Sequence, residues 1–238
     1  MSLSPPPTAL ITGASEGLGR ALARGLAVVG WQLVIDARRP APLDAVAREL
    51  RAGGTTVEAV PGDVADPAHR AALVAAAEEL GGTDLLLANA GTLGPTPLPP
   101  VATLSLDDLE RTLAVNTVAQ VGLIQGALPS LRARRGTVVA VTSDAAVEGF
   151  EGWGAYGASK AAFEQVAHVL GAEEPRLAVY RFDPGDMRTQ MHQDAFAGED
   201  ISDRPDPTTV VPALLRLITE RPASGRYRAS ELAAEVQA

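Results

Sequence analysis

The chain has 238 residues, 46% hydrophobic, 21% charged and 4% aromatic, a size and balance that suit one α/β domain with a sizeable core. It has no cysteine, which excludes disulfide scaffolds and thiolate zinc sites. Twenty basic against 29 acidic residues give a net charge of −9, so nucleic acid is not an expected partner.

Residues 1–7 (MSLSPPP) carry neither a basic n-region nor an apolar h-region, and no run of 18 apolar residues occurs anywhere. The expectation is a cytoplasmic protein with no membrane partner, a disordered N-terminus over 1–7 and a single domain over 8–238. From Thr8 onward short apolar runs alternate with segments of helical period, the signature of βαβ units around a doubly wound parallel sheet. Strand Ala9–Ile11 leads to a helix with Leu18, Ala21, Leu22, Leu26 and Val29 at helical spacing, stopped by Gly30, and then to strand Leu33–Ile35. Helices are predicted over 43–52, 67–80, 106–131 and 156–170, and strands over 56–60, 84–88, 137–141 and 177–182. The stretch 186–207 holds six acidic residues and two prolines without steady period, and is predicted as a loop over the substrate. A final helix over 210–219 and a short edge strand over 225–228 complete the reading.

Directly after the first strand comes Thr12-Gly13-Ala14-Ser15-Glu16-Gly17-Leu18-Gly19, opening into a helix. Glycines here permit a tight turn and close backbone approach, and an uncapped helix N-terminus favours a pyrophosphate. Tyr156 and Lys160 stand four apart on a predicted helix, so both project from one face. Lys160 is also the single lysine of the chain. An ammonium beside a phenol favours the phenolate and brings a base towards working pH. Ser143 lies at the C-terminal end of a strand, where open α/β sheets bind ligands, and its hydroxyl can donate to a carbonyl oxygen.

These features together resemble the short-chain dehydrogenase/reductase family, whose first turn reads Thr-Gly-x3-Gly-x-Gly. The stretch 156–193 looks most like the sepiapterin reductase and benzil reductase branch, whose substrates are vicinal dicarbonyls. The resemblance covers Thr8 to about Met191. It implies that Asn116, Ser143, Tyr156 and Lys160 form the catalytic set. Tyr156 exchanges the proton, Ser143 orients the substrate oxygen, Lys160 bonds the nicotinamide ribose, and Asn116 holds a relay water. It also implies cofactor contacts from Gly13, Ser15, Glu16, Gly17, Leu18 and Gly19, from Asp63 and Val64, and from Asn89, Ala90 and Gly91. Pro184, Gly185, Met187 and Thr189 follow in a Pro-Gly-x3-Thr pattern, with Tyr156 and Lys160 again touching the nicotinamide half.

Two readings meet at the end of the second strand. Asp36 stands where an acid bonds the ribose 2′-OH and selects NAD, whereas Arg38 stands where the family holds the 2′-phosphate of NADP. NADP(H) is favoured and NAD(H) remains open. Phe150 and Trp153 are expected to wall an apolar substrate pocket. His69, His168 and His192 have no ligand spacing, and no metal is assigned. The implied function is hydride transfer between nicotinamide and a carbonyl or alcohol carbon of a small molecule, most simply a carbonyl or dicarbonyl reductase. The other reading is a cofactor-sensing regulatory protein on the same fold. Relatives commonly form dimers or tetramers through the helices over 106–131 and 156–170, so a homo-oligomer is expected.

Overall fold

Seven parallel strands form one sheet in the order β3-β2-β1-β4-β5-β6-β7 in the computed structural model, which describes residues 5–234. The strands are β1 (Thr8–Ile11), β2 (Gln32–Ala37), β3 (Val57–Pro61), β4 (Leu85–Ala88), β5 (Thr137–Val141), β6 (Ala178–Asp183) and β7 (Gly225–Arg228). Order runs outward in both directions from β1 and β4. The crevice at that switch point, beyond the carboxyl ends of the strands, is where such sheets bind ligands.

Period-2 alternation along buried strands decides which residues face which layer. Ala9, Ile11, Leu33, Ile35, Val139 and Val141 pack with α1 (Gly17–Val28), α2 (Pro40–Ala52) and α8 (Val211–Glu220) on one face. Leu10, Val34, Leu86, Val138 and Ala140 pack on the other face with α3 (Pro67–Glu79), α5 (Ala119–Arg134) and α6 (Gly154–Glu173). The strands are apolar on both faces, as helices on both sides require.

Differences from the sequence reading have local causes. Val29 is 57% exposed because α1 ends at Val28 and Gly30, at φ +84°, turns the chain away. Of the segment expected to be disordered, residues 1–4 lie outside the described residues. Pro6 and Pro7 are held, their carbonyls accepting from Gln32 Nε2 and N–H at 3.1 and 2.9 Å. The helical region from Leu106 is α4 (Leu106–Leu113), a π turn (Ala114–Val118) and α5, with Ala119 N–H donating to Ala114 O. The predicted loop contains the short helix α7 (Gln190–Ala195), capped by the Thr189 hydroxyl, which accepts from His192 N–H at 3.2 Å. The helix at 211–220 is not the last, since β7 leads into α9 (Ala229–Ala234).

Phe163 of α6 is among the largest fully buried side chains, packed between that helix and the sheet. Phe163→Ala is expected to cost about 3–5 kcal/mol, read as a lower midpoint in urea denaturation.

Candidate active site

A cavity of about 540 Å³ opens over the carboxyl ends of the strands. It is lined by the glycine turn, the ends of β2, β4, β5 and β6, the start of α6 and the loop through α7. Gly13 and Gly17 have φ of +67° and +55°, the left-handed region that glycine adopts without strain. Gly19 has a different reason. A Cβ there would stand 2.4 Å from Gly13 O, so its lack of side chain lets α1 pack under the turn, and it does not line the cavity. Ser15, Glu16, Gly17 and Leu18 do line it, and no side chain caps the α1 N-terminus.

The Asp36 carboxylate, 2% exposed, is occupied on both oxygens. Gly13 N–H donates to Oδ1 at 2.9 Å, and His69 Nε2 lies 2.9 Å from Oδ2. Asp36 therefore braces the glycine turn, with His69 as its buried partner. Arg38 and Arg39 are exposed at the cavity rim beside Glu16. Arg39 pairs with Glu16 at 3.1 Å, a contact that sequence reading did not anticipate.

Asp63 and Val64 line the same side, and Asp63 Oδ1 accepts from Ala65 N–H at 2.9 Å. Asn89, Ala90 and Gly91 form the floor. Asn89 Nδ2 donates to Thr12 O at 2.8 Å, and the Asn89 and Ala90 N–H groups both donate to Thr12 Oγ1 at 2.9 Å. Pro184, Gly185, Met187 and Thr189 close the opposite side, with the Thr189 methyl 3.5 Å from where a Gly17 Cβ would stand.

Ser143, Tyr156 and Lys160 meet on the far wall. Lys160 is 5% exposed, its Nζ donates to Val141 O at 2.9 Å, and it stands 5.6 Å from the Tyr156 ring centroid. Burial pushes the Lys160 ammonium down to about 8. Burial also raises the Tyr156 phenol well above its ordinary value, the Asp144 charge adds to the rise, a hydrogen bond with Ser143 opposes it, and the Asp183 charge raises it again. The surroundings provided by the protein alone thus favour the protonated phenol. Ser143 Oγ donates to Asp144 Oδ1 at 2.8 Å.

Asn116 sits in the π turn, 1% exposed and outside the cavity lining. Its Oδ1 accepts from Thr92 N–H at 2.8 Å, and its Nδ2 donates to Thr92 O at 2.8 Å and Ser159 Oγ at 2.9 Å. Both amide protons are committed to protein, and the side chain joins the β4 loop to α6 beside Lys160. π turns often mark functional positions, and Gln120 Nε2 serves Val115 O in this one at 3.3 Å.

The apolar end of the cavity is aromatic. Trp153 lies edge-on to Tyr156 at 5.5 Å and meets Phe196 at 6.1 Å, while His192 stacks on Phe196 at 4.7 Å. Trp153 and His192 line the cavity. Phe150 does not: it is 44% exposed and meets the outer edge of Trp153 at 6.4 Å. His192 had no ligand spacing to single it out, and α7 is too short for a periodic signal. Asp144 and Asp186 add carboxylates to the lining.

Fold and cleft together define a nucleotide-binding α/β oxidoreductase. The family model described as short chain dehydrogenase matches residues 7–200, and the chain belongs to that family. Glycine betaine reductase ATRR of Emericella nidulans is 37% identical over 187 residues, 77% of this chain but only 14% of that protein's length. Sepiapterin reductase of Rattus norvegicus is 34% identical over 197 residues, covering 77% of this chain and 75% of the relative. Among solved structures, a Shigella flexneri short chain dehydrogenase complexed with NADP has TM-score 0.88 at 28% identity, over 94% of this chain and 97% of that one. An Escherichia coli CFT073 family member complexed with NADPH has TM-score 0.85 at 29% identity, over 94% and 96%. No helix among the described residues is long and apolar enough to cross a membrane.

The Lys160 shift has a consequence for stability. The unfolded chain holds this proton up to its ordinary 10.5 and the folded chain only to about 8. Between those values the unfolded state binds more protons, so stability rises with pH, and below about 8 the burial penalty is present in full. Lys160→Met is expected to be more stable than the native protein at pH 7, on the order of 1–3 kcal/mol, with the gap narrowing towards pH 10. Urea denaturation at the two pH values checks this, and a constant gap would count against it.

Proposed function

We propose that the protein is an NADP(H)-dependent carbonyl reductase acting on neutral aromatic ketones and vicinal dicarbonyls. The observation that carries this is the meeting of Ser143, Tyr156 and Lys160 on one wall of the cavity, with an aromatic surface beside them. The cofactor fits the residues present. The uncapped start of α1 and the open face at Gly17 would accept a pyrophosphate, and Arg38, exposed at the cavity rim, would meet a 2′-phosphate. Ser15, Glu16, Leu18, Asp63, Val64 and the Asn89–Gly91 floor would hold the adenosine half and the sugars. Pro184, Gly185, Met187 and Thr189 would hold the nicotinamide half. Two structures of similar fold bind NADP or NADPH, and among the described residues Arg38 has no ion pair competing for it.

Bound NADPH would supply the hydride received by the substrate carbonyl carbon. Tyr156 donates its phenolic proton to the carbonyl oxygen as that oxygen gains charge, completing the alcohol. Burial and Asp144 keep the phenol protonated, which suits a proton donor in the reducing direction. Ser143 Oγ turns from Asp144 to the substrate oxygen and orients it. Lys160 holds the ribose and stands behind Tyr156 to return the proton. Asn116 is a positioning residue, tying the β4 loop to α6 through Ser159. Trp153 stacks against the substrate ring, and Asp144 with Asp186 disfavours anionic substrates. The exposed Val118 in the turn before α5, with Val166 and Val169 on α6, supports self-association into a homodimer or homotetramer.

Two measurements test this reading. NADPH consumption, followed by absorbance with aromatic ketones and α-dicarbonyls, is expected in the native protein and at least 10³-fold slower in Tyr156→Phe, as loss of the proton donor requires, with NADPH affinity unchanged. Retained turnover in that variant would refute the mechanism. Arg38→Asp is expected to weaken NADPH binding more than tenfold in fluorescence titration, and a smaller effect removes the case for NADP(H) over NAD(H).

A further inference from the structure

An ionic network lies beneath Ser143 and has no part in the roles above. Glu164 and Asp183 are carboxylates only 8% and 4% exposed, and such groups stay charged only when paired and hydrogen-bonded. Both are served by Arg226 of β7, the last strand of the sheet. Its Nε donates to Glu164 Oε1 at 3.1 Å, and its Nη2 donates to Asp183 Oδ2 at 2.9 Å. The same Nη2 reaches the backbone carbonyl of Ser143 at 3.2 Å.

The carboxylates extend the network further. Glu164 Oε2 accepts from the Thr142 hydroxyl at 2.6 Å, and Asp183 Oδ1 accepts from Gly185 N–H at 3.0 Å. Glu164 is on α6, one turn beyond Lys160 and two beyond Tyr156. One guanidinium therefore joins the end of β5 at Ser143, the helix of Tyr156 and Lys160, and the Pro184-Gly185 loop. Neighbouring arginines do not duplicate it: Arg181 is 3.8 Å from Glu164 and Arg228 is 3.7 Å from Asp183. A planar fork with donors in fixed directions suits three acceptors from three elements, and a lysine ammonium cannot reproduce it.

We infer that Arg226 is a positioning residue for the reduction, fixing the Ser143 backbone against α6 and β6 so that the serine hydroxyl stands correctly towards Tyr156. The inference rests on the Ser143–Tyr156 reading of the site. Arg226 also neutralises the Asp183 charge. The charged groups facing Tyr156 are Asp144 beyond β5, Asp183 at the end of β6 and Lys160 on its own helix, while Asp186 and His192 line the same cavity. Of these, Asp183 is the one bonded to Arg226, so removing the guanidinium leaves its charge to raise the phenol further.

The test compares native protein with Arg226→Met, Arg226→Lys, Tyr156→Phe and Arg134→Met. Arg134 pairs with Asp84 at 2.7 Å at the opposite end of the sheet and serves as a purely structural control. For one ketone, kcat and KM are measured with NADPH affinity, Tm and the pH dependence of NADP+-linked oxidation of the product alcohol. Arg226→Met is expected to lose at least tenfold in kcat with less than threefold change in NADPH affinity, and to move the alkaline rise of alcohol oxidation to higher pH. Arg226→Lys should recover part of kcat, and Arg134→Met should lower Tm at native kcat. Native kcat and an unmoved pH profile in Arg226→Met overturn the inference, as does an equal loss of kcat in Arg134→Met. If Arg226→Met fails to fold, Arg226→Lys decides: reduced kcat at native NADPH affinity supports the inference, and native kcat overturns it. Turnover surviving in Tyr156→Phe, or absent from native protein, defeats the reading of the site itself; an inactive Tyr156→Phe beside a fully active Arg226→Met defeats the positioning role alone.

Discussion

The cleft depends on how β1 and β4 are held together where the sheet order reverses. Parallel strands at a switch point send their connections to opposite faces, so backbone groups at their ends lose ladder partners and must find others. Thr12 meets that need with one hydroxyl, which donates to Leu87 O at 3.2 Å and accepts two N–H groups from the Asn89-Ala90 turn. Asn89 returns the contact through its amide to Thr12 O. The glycine turn is then fixed on both sides, by Asn89 below and by Asp36 from β2.

A second constraint follows from burying the chemistry. Lys160, Asn116, Ser159, Thr117, Glu164 and Asp183 are all buried, and each unpaired polar group would cost about 1–3 kcal/mol. Lys160 is satisfied by Val141 O and Thr117 by Ser159 O, and the other four are linked in two chains that converge on α6. One runs from Thr92 through Asn116 to Ser159 and the Tyr156 carbonyl. The other runs from Thr142 through Glu164 to Arg226 and Asp183. Tyr156 and Lys160 project from the helix held between them. The same burial that demands these partners lowers the lysine and raises the phenol. Rigidity and proton chemistry thus share one cause.

Period and glycine placement made most of this fold legible in the chain. Strand runs such as Leu85–Ala88 and the stripe of α1 carry their layer in their spacing, and Gly30 marks its own turn by the φ it requires. What escaped was short or set by tertiary contact. α7 and α9 are six residues each, less than two turns, so no stripe can establish itself. The π turn leaves no mark because Ala114–Val118 has no glycine or proline to punctuate the helical pattern, and the bonds made there, Thr117 to Ser159 O and Gln120 to Ala90 O, are tertiary. Tyr156 and Lys160 were readable because helix geometry alone brings i and i+4 together. Arg226 lies 62 residues from Glu164 and 83 from Ser143, and nothing local foretells that β7 will stand beside β6. Asp36 was the instructive ambiguity: its position matched a ribose-binding acid, yet its partner His69 is 33 residues away and already holds it.

That partnership bears on how the adenosine end discriminates in the proposed reading. A carboxylate accepting from Gly13 N–H and His69 has its stronger acceptor positions filled, and withdrawing it to bind a ribose hydroxyl would release the glycine turn and strand a buried histidine. Discrimination then passes to the exposed rim. There Glu16 would repel a 2′-phosphate, but Arg39 pairs with it at 3.1 Å and cancels much of that charge at close range. Arg38 is left as the cation that a phosphate meets. The acid that suggests NAD in the sequence is thereby converted into scaffold, and two adjacent arginines divide the remaining work, one neutralising the glutamate and the other facing the ligand.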